Sequence, residues 1–171
     1  MMTAPEQQVI LGIDPGTRIS GYGVIAVHHR AYKAIDYGCI RPPGDLKLSE
    51  RYWVIFESVG NLIVQYRPTA LVVETQYVQK NVQSALKLGM ARGAVMIAAK
   101  QGGVPVFAYA PAVAKRAVTG NGRASKCQVQ GMVQNLLQLA VPPHPKDAAD
   151  ALALALCHAD CPFYLQSSHE V

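Results

Sequence analysis

Acid is scarce in this sequence. Of 171 residues only 11 are Asp or Glu, against 16 Lys or Arg, for a formal charge of +5 at pH 7. An acid in an apolar setting here therefore asks for a reason. Charged residues together make up 16% and apolar ones 50%, which excludes a disordered or highly solvated chain and suits one buried core. Long hydrophobic runs are missing too. No stretch could span a bilayer and the opening residues lack a signal-peptide pattern, so a cytoplasmic protein is expected, with no membrane partner. Repeats, low-complexity tracts and interdomain linkers are likewise missing. The four cysteines, Cys39, Cys127, Cys157 and Cys161, form no Cys-x-x-Cys pair, which argues for reduced thiols rather than a disulfide framework. Cys157, His158 and Cys161 lie close together but make only a weak zinc signal. The basic excess suits a polyanionic partner without deciding for one.

What is present begins at Val9–Ile13, an apolar run broken only by Gly12, which reads as a strand buried on both faces. Asp14-Pro15-Gly16 follows at once. Proline cannot donate to a sheet ladder and biases the residue before it toward extended geometry, so Asp14 should stand at the carboxyl end of a central strand. Ligand sites of open α/β sheets gather there. An ordinary turn acid is the plainer alternative.

Two further strands are expected over 21–28 and 31–40, making a three-stranded meander. Leu48, Tyr52, Ile55, Phe56, Val59, Leu62, Ile63 and Tyr66 recur at steps of three and four, an amphipathic helix that Arg67-Pro68 ends. The short apolar strand from Ala70 to Val73 then delivers Glu74, a second carboxylate at a strand end. Helical composition runs from Asn81 to Lys100. There Ala85, Gly89 and Gly93 form a small-residue ridge, suited either to the chain's own sheet or to a helix-on-helix dimer contact. A strand over 104–109, a helix from Pro111, a basic loop over 119–125, a helix over 126–139 and a last helix over 146–159 follow. Alternation of helices with strands makes the later strands parallel. The expected fold is α/β: a mixed five-stranded sheet, meander plus parallel strands, flanked by helices. Residues 1–160 make one domain, and 161–171 a flexible tail.

The last helix opens Lys146-Asp147-Ala148-Ala149-Asp150. Residues three apart lie about 60° apart around a helix, so both carboxylates share a face. The positive end of the helix dipole explains Asp147 cheaply. It explains Asp150 less well, because the Ala151–Leu156 run behind it must be buried and an acid there needs a cation. Asp14, Glu74, Asp147 and Asp150 thus offer hard oxygen ligands suited to magnesium or manganese. Two such ions roughly 4 Å apart can activate water, bind a phosphate and stabilise a leaving oxygen.

Gly12-Ile13-Asp14-Pro15-Gly16-Thr17 with Gly21-Tyr22-Gly23 resembles the opening of the RuvC-type Holliday junction resolvases, of the ribonuclease H-like superfamily. Glu74, Lys80-Asn81, Ser84 to Gly89 and Ala91-Arg92-Gly93 resemble that family's central block. Lys126 with Gln128-Val129-Gln130, then Asp147 to Asp150, resembles its C-terminal block. The likeness runs from about Val9 to His158, in order. It implies a ribonuclease H-like fold and a catalytic, metal-binding cage of Asp14, Glu74, Asp147 and Asp150. That cage would hold two Mg2+ ions, with Mn2+ able to substitute. It also implies a homodimer cutting opposed strands of four-way junction DNA in recombination and repair, beside a branch-migration helicase complex of the RuvA and RuvB type. Tyr77 stands where the family usually carries a base-stacking phenylalanine, and a phenol can stack similarly. Lys115 and Lys126 match basic positions used near DNA. With Lys80, Lys87 and Arg92 they would contact phosphates, giving affinity without sequence information. Three other readings stay open on the residues alone. One is an ATPase of the actin and heat-shock-70 type, whose opening turn is similar but whose length is far greater. The others are a junction-binding protein without catalysis and a nuclease acting on RNA.

Overall fold

The computed structural model describes residues 7–29, 31–75 and 81–171, apart from the side chains at 163 and 164. Strands β1 (Gln8–Asp14), β2 (Ser20–His28) and β3 (Ala31–Ile40) form the antiparallel meander. Helix α1 (Leu48–Tyr66) leads to β4 (Ala70–Glu74), which lies parallel to β1 on its other side. Helix α2 (Val82–Gln101) leads to β5 (Val106–Tyr109), parallel to β4. The sheet order is β3-β2-β1-β4-β5. Helices α3 (Pro111–Thr119), α4 (Lys126–Leu136) and α5 (Lys146–Asp160) follow. The expected mixed five-stranded sheet is therefore present, with parallel pairing where crossover helices demand it.

Alternation along β1 builds two cores. Ile10 turns to the face covered by α3, α4 and α5, whereas Leu11 and Ile13 turn to the face covered by α1 and α2. Gly12 and Asp14 fall on the α5 side by the same period of two. Glu74 shares that side, since Val72 two residues earlier belongs to the α5 core. Helix α5 is the most enclosed element, with Ala148, Ala149 and every residue from Ala151 to His158 buried.

Two expectations shift. The helix expected over 126–139 stops at Leu136, and Gln138 just beyond it takes a left-handed φ of 52°. The C-terminal segment, expected to be without pattern, contains α6 (Phe163–Gln166) and a 3-10 turn (Ser167–His169). Glu170 then bridges Phe107, and the Val171 amide donates to the Val106 carbonyl at 3.0 Å, occupying part of the open edge of β5.

His158 is buried against this segment. Its Nδ1 lies 2.8 Å from the Tyr109 hydroxyl, and its ring packs on Phe107. Burial, aided by His169, holds its pKa down at about 4. The unfolded chain takes up the proton near 6.5, so stability present above that pH is lost as pH falls toward 4, by about 3 kcal/mol. Urea titrations from pH 7.5 to 4.5 should show it as a difference: His158→Gln loses the acid-side fall that wild type carries from this residue. Parallel curves for the two proteins would refute it.

The small-residue ridge does not meet the sheet. Helix α2 buries Ala91, Val95, Ala98 and Ala99 instead, while Gly89 is exposed and a Cβ on Gly93 would meet nothing. Val82, Leu86, Met90 and Ile97, each about 60% exposed, line the outer side of the helix. Among the described residues, no helix is long and apolar enough to cross a membrane.

Candidate active site

Asp14 is carried to the sheet edge by β1 and held there by the turn after it. Ser20 Oγ accepts the Gly16 amide at 3.0 Å and donates to the Gly16 carbonyl at 2.9 Å, closing that turn without a side chain from outside. Glu74 ends β4, and the ladder continues past it through the Thr75 amide to the Tyr109 carbonyl at 2.9 Å. Asp147 and Asp150 come from the first turns of α5. The helix can lie this close because two strand positions have no side chain. A Cβ on Gly12 would stand 2.0 Å from the Ala151 carbonyl oxygen, and one on Gly21 would stand 2.0 Å from that of Asp147. Neither close approach was legible in the sequence, where the only hint was a glycine inside a buried strand.

The four acids are electrostatic neighbours. Burial first, then Asp150, Glu74 and Asp147, raises the Asp14 pKa to about 7, with Lys126 opposing. Burial and Asp150 raise that of Glu74, against Lys115 and Lys126. Lys126 donates to Asp150 Oδ2 at 3.1 Å, and that bond raises its own pKa. Its direction is set by the helix start: Ser125 caps α4 by accepting the Gln128 amide at 3.2 Å, and Gln128 Oε1 accepts the Ser125 amide at 2.8 Å. Lys126 is thus the first residue of α4, beside the first turn of α5.

Among the described residues, no group of three or more His, Cys, Asp or Glu side chains is drawn tightly enough together to hold an ion as it stands. The carboxylates repel one another, which together with burial raises the Asp14 pKa to about 7, and a divalent cation would offset that repulsion. Such a set of hard oxygens, short of positive charge, fits magnesium or manganese and suits no soft metal.

The remaining expected contacts divide. Lys126 pairs with Asp150, and the charge of Lys115 on α3 lowers the Glu74 pKa, so both lysines act on the carboxylates. Lys87 is exposed on α2. Arg92 is half-buried and its Nε has no hydrogen-bond partner among the described residues, so it is a poorer surface contact than its charge suggested. Tyr77 and Lys80 lie outside the described residues.

Comparison with known proteins decides the family. The model of the crossover junction endodeoxyribonuclease RuvC family matches residues 10–158. The chain belongs to this family. It is 64% identical over 164 residues to the crossover junction endodeoxyribonuclease RuvC of Protochlamydia amoebophila, covering 96% of this chain and 98% of that one. Among solved structures it is similar to Thermus thermophilus RuvC, at 37% identity and a TM-score of 0.82 over 95% of this chain and 98% of the other. The same enzyme in complex with Holliday junction substrate matches at 36% identity, with a TM-score of 0.85 and the same coverage. The mixed sheet with its flanking helices is the ribonuclease H-like architecture of this family.

Proposed function

We propose that this chain is a metal-dependent endonuclease that resolves Holliday junctions by paired nicks on opposed strands, in recombination and repair. The observation that carries this reading is the gathering of Asp14, Glu74, Asp147 and Asp150 from three elements at one sheet edge. These four acids would hold two divalent ions, magnesium by preference and manganese in its place. When bound, such ions would activate a water and offset negative charge that develops on the phosphate and leaving oxygens. The chain's own residues supply the rest. Asp14 is central, since it feels the other three carboxylates. Lys126 holds Asp150 and can turn its charge toward the phosphate as negative charge develops. Lys115, whose charge acts on Glu74, adds a second cation for the strand. Lys87 and Arg92 contribute phosphate contacts, the latter after some rearrangement. By resemblance Tyr77 stacks on junction bases and Lys80 contacts phosphate.

The active form is a homodimer. The outer side of α2, with its glycine ridge and four exposed apolar side chains, is an apolar stripe of the kind that marks a protein interface. Leu86→Glu with Met90→Glu should convert the dimer to monomer in sedimentation experiments and abolish paired nicking. A dimer unchanged in the double variant would remove α2 from the interface. A cytoplasmic location and a branch-migration helicase as partner follow from the family resemblance.

The direct test is cleavage of an end-labelled mobile four-way junction in magnesium, beside linear duplex and structured RNA. Symmetric nicks on the junction alone are expected. Tight junction binding without cutting, in both magnesium and manganese, would leave a binding module instead.

A further inference from the structure

The four acids ride on two bodies. Asp14 and Glu74 end strands of the sheet, whereas Asp147 and Asp150 belong to α5, which packs across it. Close approach at Gly12 and Gly21 sets the height of α5 above β1 and β2, but not its swing in the plane of the sheet. On the β4–β5 side a directional contact is made by Tyr109, the last residue of β5. Tyr109 is the register partner of Glu74, and its carbonyl accepts the Thr75 amide at 2.9 Å. Its hydroxyl lies 2.8 Å from Nδ1 of His158 on α5. One residue thus joins both halves of the acid set, by backbone on the Glu74 side and by side chain on the α5 side. Phe107 also packs on the His158 ring, but an apolar contact leaves the angle free where a hydrogen bond fixes it.

Helix α5 acts as a lever. Its backbone meets Gly12 at Ala151. From there His158 stands about 10 Å along the axis in one direction and Asp147 about 6 Å in the other. A swing of about 1 Å at His158 therefore displaces Asp147 by about 0.6 Å. The C-terminal segment holds the Tyr109–His158 pair in place. The His169 ring stacks on that of Tyr109 at 4.4 Å, with 27° between the planes. Gln166 Nε2 donates to the carbonyls of His158 at 3.3 Å and Cys161 at 3.1 Å, closing the end of α5. His169 and Gln166 lie beyond residue 158, where the match to the family model stops.

We propose that Tyr109 is a positioning residue for strand cleavage. Its bond to His158 fixes the swing of α5, and so the spacing of Asp147 and Asp150 from Glu74, while the C-terminal segment clamps its ring. The assignment rests on the endonuclease reading and deepens it.

Tyr109→Phe keeps the ring and removes the bond, with Ile55→Val as the control for stability. Ile55 is fully buried in the core on the other face of the sheet, so its variant lowers the melting temperature without touching α5. Well below both melting temperatures, kcat on a four-way junction should fall about tenfold in Tyr109→Phe, with KM unchanged. Ile55→Val should cut as wild type does. Tyr109→Phe combined with His158→Gln should lose no more than the worse single variant, since both remove one bond. His169→Ala should lose about threefold, and His169→Phe, which keeps the stacking, nothing. A second readout needs no cutting. The rise in melting temperature on adding magnesium should be smaller in Tyr109→Phe than in wild type or Ile55→Val, because its ligands are no longer held at one spacing.

A kcat in Tyr109→Phe equal to that of Ile55→Val, or losses that add in the double variant, would overturn the assignment and leave the endonuclease reading intact. Wild type that binds junctions without cutting overturns that reading, and the magnesium-induced shift then decides alone. An equal shift in all three proteins would remove the positioning role as well.

Discussion

Asp147→Asn is expected to bind a four-way junction as well as wild type and to cut it roughly a thousandfold more slowly. Asparagine keeps the size of the side chain and a carbonyl oxygen, so the first turn of α5 is not disturbed. It removes one of the negative charges that raise the pKa of Asp14. The sign of the stability effect follows. Asp14 ionises at about 7 in the folded chain against an ordinary 3.8, so stability present below 3.8 is lost as pH rises through 7. Asp147 is one of the causes of that rise. Without divalent metal, at pH 8, Asp147→Asn should therefore melt higher than wild type. A gain of about 1 kcal/mol corresponds to roughly 2–4 °C in a chain this size. Saturating magnesium should reverse the order, because only wild type keeps all four ligands. Scanning calorimetry with and without the ion measures both. Normal cutting by the variant would break the assignment of Asp147, and a lower metal-free melting temperature would break the repulsion account.

Gly12→Ala has the other large effect, and for a reason remote from charge. The added methyl would stand 2.0 Å from the Ala151 carbonyl oxygen and 3.1 Å from the Ala155 amide nitrogen, all backbone of a helix buried along most of its length. Neither atom can rotate away, so α5 must lift. A loss of about 3 kcal/mol is expected, with a melting temperature roughly 6–12 °C lower. Below that temperature the protein still folds, but Asp147 and Asp150 move with the helix relative to Asp14. A shift of about 1 Å there should cost on the order of a hundredfold in kcat. Gly21→Ala meets the Asp147 carbonyl itself at 2.0 Å and should behave alike. Gly60→Ala in α1 meets nothing within 4 Å and should stabilise by about 0.5–1 kcal/mol. The three variants, compared by chemical denaturation and single-turnover cleavage, separate close approach from glycine content. Near-equal stabilities would dismiss the contact.

Sheet, helices and acids were legible because each rests on a local rule. Periods of two and of three to four mark strands and helices, proline and glycine mark ends, and Asp14 and Glu74 each follow a run too apolar to be exposed. Asp147 and Asp150 share a face by helical spacing alone. The ridge on α2 was visible too, but whether it faced the sheet was not. That depends on which side of α2 the larger apolar residues claim, and Ala91, Val95, Ala98 and Ala99 claim the inner one.

Other features exist only between elements distant in the chain. Lys126 meets Asp150, 24 residues later, because a capped α4 packs beside α5. Gly12 and Gly21 matter only against α5, more than 120 residues on. Sequence by itself determined which groups carry charge and where the main strands and helices lie, since those follow from neighbours along the chain. Tertiary structure decided which charges meet, because burying both faces of one sheet brings α5 down on β1 and sets four like charges and one lysine together at its edge.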